Sequence, residues 1–216
     1  MNKTEMLEKI AEKDFIVDDF VRLARDQRNI RDEIVNQMLT NPDIMVYYHC
    51  YYVVSKGSEK NPEIYYSYWN EIAGLLNHKN SYHRDIGLEI IANLTAADKK
   101  NQFSDIENDY FACINDVKFS TGQCCVKNCK KIYRYKTEQR GKIISLLLDI
   151  DNLCDYPEKQ LGLLKFEIIE LFDEIYDSAI EKDRINQFVR VQLRSPSPKT
   201  RKKAREFISK FNLMEA

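Results

Sequence analysis

Two stretches of this 216-residue chain carry one pattern, 117 residues apart. Arg84, Gly87, Ile90, Ile91 and Leu94 place a basic, a small and three apolar residues at helical spacing. Arg201, Ala204, Phe207, Ile208 and Phe211 repeat the order. A capping residue stands four positions before each arginine, Asn80 and Ser197, and Leu76 and Leu193 end the preceding helices. The offset is three times 39, and looser copies begin at Met45, Gln123 and Leu161, so the anchors recur at steps of 39, 39, 38 and 40. A unit of that length holds two amphipathic helices. It cannot bury both apolar faces alone, so successive units must stack.

Helical periodicity runs through the rest of the chain, as in Ile30, Ile34, Val35, Met38 and Leu39, or Ile143, Leu146, Leu147 and Ile150. The chain holds only six glycines and five prolines, too few turn formers for an all-β fold. Pro42, Pro62, Pro157, Pro196 and Pro198 each stand beside or near Asn, Asp or Ser, just before an apolar period. There the side-chain oxygen caps free amides and proline occupies a position that needs no amide bond. The spacing predicts helices over 4–24 (with Asp14 as its breaking point), 27–39, 42–55, 62–77, 81–97, 103–117, 121–136, 138–153, 157–175, 178–194 and 198–212. Residues 1–40 read as an N-terminal helical cap continuous with an array over 41–216, in a single domain.

The period and the two strong units, Asn80-Ser81-Tyr82-His83-Arg84-Asp85-Ile86-Gly87 and Ser197-Pro198-Lys199-Thr200-Arg201-Lys202-Lys203-Ala204, resemble HEAT repeats or the related armadillo type. The resemblance spans about 41–212. Gln123 and Leu161 depart from the basic residue at their positions. It implies an all-α fold, a right-handed α-α superhelix of about five helix pairs whose second helices line a concave binding face.

Net charge is −1, yet it is not evenly spread. Residues 118–142 hold eight basic residues against one acid (+7), 149–183 eleven acids against three lysines (−8), and 184–210 nine basic residues against one acid (+8). Four residues past each anchor come His49, Leu88, Lys127, Lys165 and Arg205. On stacked second helices the last three predict a basic ladder, flanked by Lys131, Lys202 and Lys203, for an acidic peptide or a phosphate backbone. A second candidate is aromatic: of the tyrosines crowded into 47–68, Tyr47, Tyr51, Tyr65 and Tyr66 are expected to form a patch for a peptide.

Little points to catalysis. No phosphate-binding glycine loop, metalloprotease or nucleophile-elbow motif is present. His78 and His83 flank an interhelix turn beside Asp85 and read as solvated turn residues. The six cysteines lack Cys-x-x-Cys spacing and read as small buried hydrophobes. No catalytic residue, metal or cofactor is assigned. Acidic residues near the start and the brevity of the uncharged run Ile44–Val54 predict a cytoplasmic chain without a membrane span. The expected role is non-enzymatic binding of a protein or peptide, acidic if the ladder is the site. The alternative is DNA binding, implied by a resemblance to bacterial alkylpurine DNA glycosylases built as HEAT arrays. Against it, the one tryptophan, Trp69, falls on a first helix and the acidic block would repel a duplex.

Overall fold

A computed structural model describes residues 3–213, and among them every regular element is a helix. The chain divides into two compact units, one up to residue 106 and one from residue 107.

The first unit contains α1 (Lys3–Ala11), α2 (Val17–Asp26), α3 (Arg28–Thr40), α4 (Ile44–Lys60), α5 (Pro62–Tyr65), α6 (Trp69–Ala73) and α7 (Ser81–Leu94). The division between units falls inside α8 (Phe103–Ala112). The second unit continues with α9 (Phe119–Tyr135), α10 (Arg140–Leu148), α11 (Ile150–Leu153), α12 (Glu158–Ile175), α13 (Lys182–Val191) and α14 (Pro198–Lys210). In the first unit α4 is central, packing on α1, α2, α3 and α7. In the second, α12 lies between α9 and α14, and α10 meets α13.

Local chemistry sets the helix starts. The Asp43 carboxylate accepts the Met45 amide (2.8 Å), Asn80 accepts from Tyr82 (3.0 Å) and Ser197 from Thr200 (3.3 Å). Pro62 and Pro198 sit in the first turn of α5 and α14, where an amide would be orphaned. The helix expected over 4–24 breaks across 12–16, around Asp14. The one expected over 62–77 is interrupted by 3-10 turns at 66–68 and 74–77. These turns let Tyr65 and Trp69 both enter the core, while the Tyr66 and Tyr68 hydroxyls reach Asp98 and Asp32.

Each unit has its own apolar core. Ile34, Met38, Val53, Ile72, Leu76, Ile86 and Ile90 fill the first; Ile114, Ile132, Leu147, Leu164, Phe172, Ile185 and Phe207 fill the second. Each such side chain contributes about 1.5–3 kcal/mol by leaving water. Many hydrogen bonds between helices link residues 30 to 44 apart in the chain, and several of them fall at 38 to 40. The His49 ring bonds the Ile10 carbonyl (2.5 Å), the Asn93 amide donates to the Ser55 carbonyl (3.1 Å) and the Tyr156 hydroxyl to the Asp116 carbonyl (2.7 Å). The Thr200 hydroxyl donates to the Gly162 carbonyl (2.5 Å). All four link residues 38 to 40 apart, each within one unit.

The arginines of the repeated pattern share one task. Arg84 donates to the carbonyls of His78 (2.7 Å) and Lys79 (3.3 Å), and Arg201 to those of Ser195 (2.6 Å) and Pro196 (3.2 Å). Each reaches back five and six residues from the fourth position of its helix to the carbonyls that close the preceding one, where a cation also meets the negative end of the helix dipole. Arg31 does the same for Ala24 (2.6 Å) and Arg25 (3.4 Å), and Arg140 for Tyr133 (2.9 Å) and Arg134 (3.5 Å). Gln123 and Leu161 do not share it; the Gln123 amide instead donates to Glu167 (3.0 Å).

Candidate functional site

Lys127, Lys165, Lys202 and Lys203 of the expected basic ladder are paired with acids. Lys127 on α9 lies 3.7 Å from Glu167 on α12. Lys165 on α12 retains 15% side-chain exposure, and its ammonium is 2.6 Å from Asp151 on α11. Lys203 on α14, 13% exposed, is wedged between Glu170 (2.5 Å) and Asp173 (2.7 Å) of α12. Lys202 pairs within its own helix with Glu206 at 3.7 Å, and Lys131 is half-buried. Arg205 is exposed and makes no ion pair among the described residues. Lys127 and Lys165 therefore serve different partners on different helices, and no row of open cations runs from Lys127 through Lys165 to Arg205.

The alternating charge blocks acquire a structural meaning from these pairs. The acidic helix α12 is flanked by the basic helices α9 and α14. On one side Lys130 (3.1 Å) and Arg134 (3.7 Å) join Lys127 in pairing with α12, both through Glu174. On the other, Lys210 reaches Asp173 (2.5 Å) beside Lys203, and the Lys199 ammonium lies 3.5 Å from the centre of the Phe166 ring. Burial alone would raise the Asp173 carboxyl, but Lys203 and Lys210 outweigh it and hold it below its ordinary range. Burial likewise opposes the Lys203 charge, and Asp173 with Glu170 overcomes it, so this ammonium is held above its ordinary value. Part of the charge that could attract a polyanion is paired inside the unit.

The expected aromatic patch also needs correction. Tyr47 is 3% exposed and packs on His83, with ring centres 4.9 Å apart. Tyr65 is buried beneath Gly57, where a β-carbon would collide with its hydroxyl. Tyr66 is half-buried and its hydroxyl donates to Asp98 (2.6 Å). Tyr51 is half-buried, donating to Glu89 on α7 (2.5 Å). Of the four, Tyr47 and Tyr65 are core residues and Tyr51 and Tyr66 are tied to carboxylates. The exposed aromatic surface is made by neighbours. Tyr52 on α4 and Tyr82 on α7 are 45% and 52% exposed, Tyr48 lies half-buried between them, and Met45 is exposed one turn before it. Ring centres are 6.0 Å apart for Tyr48 and Tyr52, 5.7 Å for Tyr48 and Tyr82, and 5.4 Å for Tyr51 and Tyr52. The rings form a continuous shelf across two neighbouring helices. The Tyr48 phenol is pushed up to about 12 by burial first, then by Tyr47, Tyr82 and Asp85, so it stays neutral at physiological pH.

Other chemistry-bearing groups are less suggestive. His78 and His83 rings are 4.4 Å apart, and His78 Nδ1 accepts the Asn80 amide (3.1 Å). His83 is buried rather than solvated, and burial, then His78, lowers its pKa. Among the described residues no group of three or more His, Cys, Asp or Glu is placed to hold a metal ion. Five cysteines are buried and Cys124 is half-buried. Burial pushes the Cys50 thiol up to about 12 and Cys154 to about 11, far from a reactive thiolate. A groove of about 630 Å³ lies between the turns at 115–119 and 155–160, bordered by Val117, Tyr156 and Pro157. Among the described residues no helix is long and apolar enough to cross a membrane.

No protein-family model matches the chain, and no curated protein matches it. The crystal structure of an engineered protein is similar in fold, with a TM-score of 0.57 over 99% of this chain and 100% of the other, at 12% identity. At that identity the likeness speaks for the fold alone: the chain is an all-helical protein.

Proposed function

We propose that this chain is a non-enzymatic, HEAT-like helical scaffold that binds a protein or peptide, and that the tyrosine shelf on α4 and α7 makes the contact. The array reading is supported by the hydrogen bonds between residues 38 to 40 apart and by the equivalent work of Arg84 and Arg201. The observation that carries the binding reading is the exposure of Tyr52 and Tyr82 around Tyr48. Tyrosine offers a large rigid face at small entropic cost and is enriched among residues that dominate interfaces.

The DNA-binding alternative has weaker support. Lys127, Lys165 and Lys203 on α9, α12 and α14 are paired with carboxylates, so a duplex would have to displace them. The Trp69 ring is buried and unavailable to a base.

A displayed random-peptide library tests the proposal. Binders selected on the wild-type protein are re-screened on a Tyr52→Ser/Tyr82→Ser variant. Both side chains are exposed, so the variant keeps its fold. A set of binders lost on the variant is the expected result, and a set wholly indifferent to it removes the shelf as the site. A salt-sensitive mobility shift with duplex DNA and base release from alkylated DNA would favour the alternative.

A further inference from the structure

We infer that the shelf takes a basic segment, a peptide carrying arginine or lysine that seats a cation on the tyrosine faces and pairs with Glu89. The inference rests on the binding reading above and names the chemistry of its partner.

Glu89 is the first observation. It lies on α7, half-buried, and its two oxygens accept the hydroxyls of Tyr51 and Ser55, each at 2.5 Å. It forms no ion pair among the described residues. Four acids of α12 behave otherwise: Glu167, Glu170, Asp173 and Glu174 each have a lysine or arginine within 4 Å. A carboxylate oxygen has two acceptor sites, so after one hydroxyl each, both Glu89 oxygens can still receive a guanidinium or ammonium.

The rings are the second observation. Tyr82, Asp85 and Glu89 fall on one face of α7, and Met45, Tyr48, Tyr52 and Ser55 line the neighbouring side of α4. The Tyr48 ring is tilted 74° to Tyr82 and 55° to Tyr52, so faces and edges point in several directions. A tyrosine face attracts a cation through its quadrupole, and arginine adds planar stacking. From Tyr82 to Glu89 the helix rises about 10 Å, the reach of roughly three extended residues. A basic side chain on the rings and a second one at Glu89 therefore fit one short segment.

The library experiment decides the inference separately from the reading it rests on. Binders lost on Tyr52→Ser/Tyr82→Ser should be enriched in arginine and lysine. A selected peptide should bind Glu89→Gln about tenfold more weakly at low salt, the scale of one charge-assisted contact. Tyr52→Phe/Tyr82→Phe keeps the ring faces and should keep most of the affinity. Ser55→Ala removes a hydroxyl from Glu89 without touching charge, and should change affinity less than twofold; an equal loss in Ser55→Ala and Glu89→Gln would assign the effect to packing and overturn the role of charge. Shelf-dependent binders that are neutral or acidic, or an unchanged affinity in Glu89→Gln, overturn the basic-segment inference and leave the shelf standing. The absence of any shelf-dependent binder overturns both.

Discussion

The seam between α4 and α7 and the seams on either side of α12 join helices by opposite means. Across the first, hydroxyls and amides meet: Tyr51 and Ser55 donate to Glu89, and Asn93 donates to the Ser55 carbonyl and the Ser58 hydroxyl (3.0 Å). Across the second, ammonium and guanidinium groups meet carboxylates. Ion pairs consume surface charge in the second unit. Hydroxyl donors in the first satisfy Glu89 without cancelling its charge, and the rings beside it remain open. The seam built with fewer charges is thus the one left able to attract one.

The largest expected break in this comparison is at Lys203. Lys203→Ala strands Glu170 and leaves Asp173 to Lys210 alone, and should cost about 2–3 kcal/mol, below the figure for a fully buried pair because both acids touch water. Hydrogen exchange should localise the loss to α12 and α14, and a cycle with Asp173→Ala should recover part of it. Next is Asn93→Ala, which removes one buried and one half-buried hydrogen bond of the α4–α7 seam and should cost about 1–2 kcal/mol. That loss, read from denaturant unfolding, should be the same in low and high salt.

Acid should separate the seams more gently. Asp173 is held below its unfolded value near 4, so its contribution is complete above that pH and disappears as the pH falls through its folded value. Lys203 is held above its ordinary value, so its contribution is complete below about pH 10 and is lost only in stronger alkali. Exchange followed from pH 6 to pH 3 should show α12 and α14 loosening first. The smallest effect is that of salt: raising it to about 1 M should weaken the exposed pairs of Lys127, Lys130 and Arg134 by less than about 1 kcal/mol in all, and leave Asn93 protection unchanged.

Much of the fold was legible in the chain. Asn80, Ser197, Pro62 and Pro198 mark helix starts through local hydrogen bonding, which needs no knowledge of the tertiary structure. The Arg84 and Arg201 pattern announced a shared role for the same reason. Arg31 and Arg140 perform it too, yet they were missed because the residues after them do not follow the small-then-apolar pattern. The sites were harder. A linear reading places Lys127, Lys165 and Arg205 in register but cannot tell that Glu167 and Asp151 face the two lysines. The tyrosines posed a similar problem, since α4 offers two adjacent stripes and only its packing against α7 buries Tyr47 while Tyr52 stays in water. The sign of the blocks was visible, but not that α12 lies between helices of opposite charge.

The arginine clamps carry a consequence for how such a chain can grow. Arg31, Arg84, Arg140 and Arg201 each fasten a helix to its immediate predecessor within five to seven residues. Closing so short a loop is fast and demands little of the distant chain. Every helical hairpin thus travels with its own latch. A duplicated or deleted hairpin would arrive or leave with its corner already fastened, and only the faces on either side would have to be refitted.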